Sequence, residues 1–352
     1  MPTLWFCLVA VLLAGYVILD GFDIGAGIVH LFVARNEAER RAVFASIGPV
    51  WDGNEVWLLA AGGTLFFAFP GLYAASFSGF YLALMVVLWL LILRGISIEF
   101  RSHVDHEMWR GFWDVIFAGA SALLAIFYGA ALGNVVRGVP LDPDGNFFLA
   151  LWTNFQPGED AGLIDWYTVL VGVTALAALT MHGALWVALK TEGDLRMRCQ
   201  QLARRLWIPV LACVLLISAF SFRIQPLLWK SFAERPWGFV FPALSAIGLM
   251  GVRLFITRRP AGKRQQELAA FFASCLFILG LLCSAAMGLY PNLLPSNVDA
   301  AHGLTIVNVS ASDYGLRIGL WWFVPALALA LAYTVFVYRH FTGKVGTVPH
   351  GH

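Results

Sequence analysis

The chain has 352 residues, 60% hydrophobic and only 12% charged, with a net charge of +2 at neutral pH. Soluble domains carry about 25% charged residues, so this composition excludes a soluble enzyme and points to a polytopic membrane protein. The near balance of charge implies no nucleic acid partner.

About 20 apolar residues cross the hydrocarbon core as a helix. Windows of that length fall at 4–33, 50–69, 73–98, 112–133, 163–189, 203–222, 237–257, 267–290 and 317–339, which makes nine spans in a single membrane domain over 1–352. The first run lacks the basic flank of a signal peptide and is too long for one, so it reads as an uncleaved span. The five cysteines, Cys7, Cys199, Cys213, Cys275 and Cys283, match neither a disulfide framework nor a zinc spacing.

The first run also holds Leu19-Asp20-Gly21-Phe22-Asp23-Ile24-Gly25. A three-residue spacing puts Asp20 and Asp23 on one helix face. Each ionisable group at membrane depth costs roughly 2.5–3.5 kcal/mol on insertion scales, so such groups face a protein interior or a water-filled path. A second acidic pair, Asp52 and Glu55, opens the next run within Pro49-Val50-Trp51-Asp52-Gly53-Asn54-Glu55. The first two helices are antiparallel neighbours joined by a short arginine-bearing loop. All four acids then fall within about 10 Å of one another in depth, on a rise of about 1.5 Å per residue.

Two readings of these acids stand. As a group they could carry protons toward something buried deeper. Structurally, Asp20 and Asp23 could cap a helix broken at Gly21, Gly25 and Gly27, or pair with Arg94, while Asp52 could be an N-cap. Gly62, Gly63, Gly79 and the Gly129/Gly133 pair permit close helix contact. Phe66, Phe67, Phe69, Phe77, Phe80 and Tyr81 around Pro70-Gly71 form an aromatic turn at the outer interface.

Further along, the segment 134–162 carries Pro140, Pro143 and Pro157 among acids and reads as an ordered or semi-ordered outer cap. Lysine and arginine fix the orientation, because cytoplasmic loops carry their excess. Of the 23 such residues, only Arg137, Arg223, Lys230, Arg235 and Arg317 fall on the opposite side. The expectation is an N-terminus outside and a C-terminus in the cytoplasm.

Histidine bears on redox cofactors. Only His30 and His182 lie in or near spans. Haem-carrying bundles supply buried His or Met pairs, and His182 with Met181, Met85 and Met287 shows no repeated spacing. These residues read as packing, and this chain is expected to hold no haem and no metal.

The motifs LDGFDIGAG (19–27), RNEAERR (35–41), PVWDGNEVWL (49–58), FPGLYAASFSGFYLAL (69–84), RGISIEFRS (94–102) and WDVIF (113–117) occur in that order. With GAALGNVVRGVP (129–140), they resemble subunit II of the cytochrome bd quinol oxidases. The resemblance is dense over 15–140 and topological beyond. It implies an all-α polytopic membrane fold of nine transmembrane helices, two four-helix bundles plus one peripheral helix. It further implies a bacterial cytoplasmic-membrane complex that reduces dioxygen to water with quinol electrons. In that family a larger subunit I carries haem b, haem d and the quinol site. A small single-helix accessory subunit, membrane lipid and a structural quinone are further expected companions. By resemblance Asp52 is the leading proton-path residue, with Asp20 and Asp23 behind it and Glu55 at a position that is neutral in some relatives. The competing class is a proton-coupled secondary transporter, which predicts inverted repeats and two unwound helices at corresponding positions.

Overall fold

The computed structural model describes residues 1–257 and 264–345. Arg258, Arg259, Lys263, His350 and His352, used above in reading charge and histidine, lie outside the described residues. The chain runs through α1 (Pro2–Val33), α2 (Glu37–Ile47), α3 (Trp51–Ala68), α4 (Pro70–Gly79), α5 (Tyr81–Phe100) and α6 (Glu107–Arg137). It continues through α7 (Trp166–Lys190), α8 (Gly193–Ile224), α9 (Pro226–Glu234), α10 (Val240–Thr257), α11 (Arg264–Leu289) and α12 (Asp313–His340). A two-stranded hairpin, Asn292–Leu294 with Leu304–Thr305, lies between α11 and α12.

Among the described residues, eight helices are long and apolar enough to cross a membrane, and a ninth is reached only if α3 and α4 count together. That pair is bent by 119°. The cause is Pro70, which removes a backbone donor and keeps Phe69 out of the helical region (φ −134°, ψ 62°). The span expected over 73–98 is likewise divided, at Phe80. Glycine does not break α1, which runs unbroken through Gly21, Gly25 and Gly27. The capping role considered for Asp20 and Asp23 is thereby excluded.

The arginine-bearing loop after α1 contains a helix that hydrophobicity alone misses. Asn36 caps α2 by accepting from the Glu39 N–H at 2.9 Å, and the Glu39 carboxylate accepts from the Arg35 N–H at 2.7 Å. Such reciprocal caps satisfy the orphan donors of a first turn. The segment after α6 is an ordered cap, as expected, and its link is to the far end of the chain. The Val139 N–H donates to the Pro295 carbonyl and the Asn297 N–H to the Val139 carbonyl, both at 3.0 Å.

α1 lies at the centre, packed on α3, α6, α7 and α11. α7 touches α1, α6, α8 and α11, and α10 pairs with α11. Close approach depends on glycine. A Cβ on Gly25 would stand 2.7 Å from the Cα of Gly183, so α1 and α7 meet backbone to backbone. Gly129 meets the Gly172 Cα at 2.7 Å, and Gly133 faces the Thr168 Cα at 3.0 Å, as their spacing suggests. Gly62 and Gly63 differ, with no atom near enough to touch an added methyl. In the aromatic turn, Phe69 is core while Phe66 is exposed. α12 is nearly bare: Trp321 is 82% exposed.

Candidate functional site

The four acids converge where α1, α3 and α5 meet, each in a different setting. Asp20 and Arg94 are both fully buried and form a two-pronged ion pair, one arm of which spans 3.1 Å. The same guanidinium reaches the Glu55 carboxylate at 2.8 Å, and the Glu55 side chain keeps 28% of its surface open. Asp23 is also fully buried, yet has no basic partner among the described residues. Its Oδ2 accepts from the Asn54 side-chain amide at 2.7 Å, and its Oδ1 is buried with no donor. Asp52 lies in the first turn of α3, exposed; the N-cap is Val50, so Asp52 is not the cap considered for it. A carboxylate there is favoured by the helix dipole.

Two residues that sequence reading passed over complete the cluster. Asn54 donates from Nδ2 to Asp23 and, at 3.3 Å, to the Leu19 carbonyl, while its Oδ1 accepts from the Tyr338 hydroxyl at 2.9 Å. α12, which otherwise packs mainly through Leu316, Gly319 and Phe323 near its start, is tied to the acids by this bond. Asn54 lies between the two acids of its motif, which was a usable signal; Tyr338 has none, because nothing local marks it.

A second ionic network closes the same end of the helices. Asp114, inside the apolar run of α6, accepts from Arg101 Nε at 2.6 Å and Arg40 Nη1 at 2.8 Å, and faces His30 Nε2 at 3.5 Å. Glu37 on α2 accepts from both Arg101 amino groups at 3.0 and 2.9 Å, and from Arg41 Nε at 2.9 Å. The arginines that set the charge bias therefore also tie α2, α5 and α6 together. Burial alone would raise the Glu37 carboxyl. Hydrogen bonds from Arg101 and Arg41, with the charges of Arg101 and Arg110, outweigh it and hold Glu37 below the usual glutamate range.

With the folded value below the unfolded one of about 4.3, the stability from this carboxylate is complete above that value and lost as pH falls through the folded value. Glu37→Gln is therefore expected to lower the melting temperature by about 2 °C at pH 7. The gap to wild type should close below about pH 4. Melting curves across that range check it; a gap independent of pH would mean that the loss is steric rather than ionic.

The two histidines within spans are held differently. His182 spends Nδ1 on Ser274 Oγ (2.7 Å) and Nε2 on the Ile18 carbonyl (3.0 Å). His30 spends Nδ1 on the Gly27 carbonyl (2.7 Å), with Nε2 turned to Asp114. Met181 is core. His182 thus ties α7 to α11 and α1, while His30 Nε2 is buried beside Asp114 without a hydrogen bond.

The sequence model described as cytochrome bd terminal oxidase subunit II matches residues 1–341. The chain belongs to that family. It is 33% identical to the probable cytochrome oxidase subunit 2 of Haemophilus influenzae, over 97% of this chain and 94% of that protein. Identity to the cytochrome bd ubiquinol oxidase subunit 2 of Bacillus subtilis is 33%, over 90% of this chain and 88% of that one. The bd oxidase structure from Geobacillus thermodenitrificans shares the fold, with a TM-score of 0.75 over 97% of this chain and 98% of that chain at 17% identity. As a bd subunit II, the chain is part of a terminal oxidase, an oxidoreductase complex that contains haem and a partner subunit I. It is a multi-pass bacterial membrane protein, and the transporter reading is not favoured.

Proposed function

We propose that this chain is the haem-free companion of a haem-bearing subunit I in the bacterial cytoplasmic membrane, and that it brings cytoplasmic protons toward that partner's oxygen chemistry. In this reading quinol supplies the electrons, dioxygen is reduced to water, and haems b and d lie in the partner. The imidazole of His182, with both ring nitrogens committed, supports that division. A small single-helix accessory subunit, membrane lipid and a structural quinone complete the assembly. The chain is one membrane domain with its N-terminus outside and its C-terminus in the cytoplasm, as the lysine and arginine bias supports. Two four-helix bundles, with α12 peripheral, are supported by the packing of α1 on α3 and α6, α5 on α6, α7 on α8 and α11, and α10 on α11, with α7 joining the two through α1 and α6.

The observation that carries the proton role is Asp23, a fully buried carboxyl with no cation of its own and one oxygen without a donor. The buried cluster holds three carboxyls and one guanidinium, and burying excess negative charge is expensive. Taking up a proton halves the excess, and holding and releasing a proton is what a relay must do. Asp52, exposed at the mouth, and Glu55, half-buried one turn on, lead inward to it. Asp20 acts through Arg94, setting the field in which the others exchange.

Asp23→Asn and Asp52→Asn are expected to slow quinol-driven oxygen consumption, the first by roughly tenfold or more and the second by less. Assembly and the haem spectrum should be largely retained. Loss of haem in proportion to activity would make the residue structural and end the proton role for it.

A further inference from the structure

At the end of the helices opposite the acid cluster, α8, α9 and the 290s segment enclose a cleft of about 940 Å³. Its lining includes Arg137, Arg223 and Lys230 and no carboxylate. The Arg137 charge is already spent: it pairs with the buried Asp165 and donates to the Asn134 side-chain oxygen at 2.7 Å. Arg223 and Lys230 are exposed and have no acidic partner among the described residues. The corner that presents them is fixed. Gln225, buried between α8 and α9, donates to the Val136 and Arg137 carbonyls at 3.1 and 3.2 Å.

Two further features select the occupant. Asn297, a lining residue, donates its amide to the Gly158 carbonyl at 2.6 Å, and its Oδ1 is buried without a donor. Below the cations the wall becomes hydrocarbon. Leu216, Phe220 and Arg223 share one face of α8, and Leu216 lies about 10 Å below Arg223. Leu215 and Leu216 are 62% and 47% exposed there. Trp229 and Trp237 are exposed close by in sequence, as residues at a membrane boundary are.

We propose that this cleft seats a glycerophosphate headgroup, with its acyl chains against the exposed face of α8. Arg223 and Lys230 neutralise the phosphate, and Asn297 Oδ1 accepts from a headgroup hydroxyl. Phosphatidylglycerol supplies both the anion and the hydroxyl. A choline headgroup offers no hydroxyl and would bring a third cation against the two already present.

The test uses the intact oxidase complex, stripped of lipid and titrated with dioleoylphosphatidylglycerol or dioleoylphosphatidylcholine under native mass spectrometry. Haem content confirms assembly. Wild type should bind one more phosphatidylglycerol than the R223Q/K230Q variant, with affinity at that site about twentyfold higher. The charge-keeping R223K/K230R variant should retain it. Free glycerol 3-phosphate is the competing arm. Failure to displace the lipid assigns the site to a membrane lipid, whereas displacement with the same sensitivity to R223Q/K230Q assigns the same phosphate chemistry to a soluble source. Equal binding of phosphatidylcholine, unchanged binding in R223Q/K230Q, or equal loss in the charge-keeping variant would overturn the proposal.

Discussion

Arg94→Gln is expected to abolish most assembly of the oxidase complex. Arg94 and Asp20 are both fully buried, and removing the guanidinium leaves Asp20 with no compensating charge. Stranding one partner of a buried pair costs about 3–5 kcal/mol, a large part of any protein's net stability. Glu55 loses its partner as well, but its open surface lets water take over, so its share is small. The pair differs sharply from its halves, because an uncharged pair pays no desolvation. R94Q/D20N should therefore recover much of the lost assembly. The yield of purified complex and its haem per protein measure both variants. If R94Q alone assembles at wild-type levels, the pair is solvated and the buried description of the cluster is wrong. The double variant also separates roles: if it assembles and consumes oxygen normally, Asp20 serves only to hold Arg94.

Why some of this was legible follows from where the signal resides. Long apolar runs are local properties, so eight of the nine expected crossings could be read directly, and so could the acids that meet where α1, α3 and α5 join. The Arg94 partnership was visible as one option, since a buried cation and a buried anion at similar depth have few alternatives. The bend at Phe69–Pro70 was available from proline chemistry but was hidden by apolar residues on both sides. α2 was missed because its helix is amphipathic and short, and hydrophobicity over 20 residues averages it away. Asp52 led the ranking through resemblance, while the structure buries Asp20 and Asp23 alike and leaves Asp52 in the open. Depth along a helix follows from counting residues, whereas the direction a side chain faces depends on which helices surround it. Tyr338 shows the limit most clearly: its bond to Asn54 joins residues 284 positions apart.

Small residues make the same point, and Gly25→Ala tests it. Sequence spacing selected Gly62 and Gly63 for close contact, yet a methyl on either would meet nothing within 4 Å among the described residues, while Gly25 meets the α7 backbone. A methyl on Gly25 would lie 2.7 Å from both the Cα and N of Gly183, and nearer still to the Leu179 carbonyl oxygen. Backbone atoms cannot move aside as a side-chain tip can, so the helices must separate. Separation would strain the Asp23–Asn54 bond and the His182 tie to Ile18, which belong to the same central packing. Overpacking of this kind costs about 3 kcal/mol, at the upper end of the usual range because no rotamer change relieves it. Gly119 on the exposed face of α6 is the control. An added methyl there meets nothing within 4 Å, and Gly→Ala in a helix gains roughly 0.5–1 kcal/mol. Thermal melting of the two variant complexes is expected to move in opposite directions, with Gly25→Ala losing several degrees and much of its yield. A Gly25→Ala complex that melts like wild type would mean that α1 and α7 do not meet along this line.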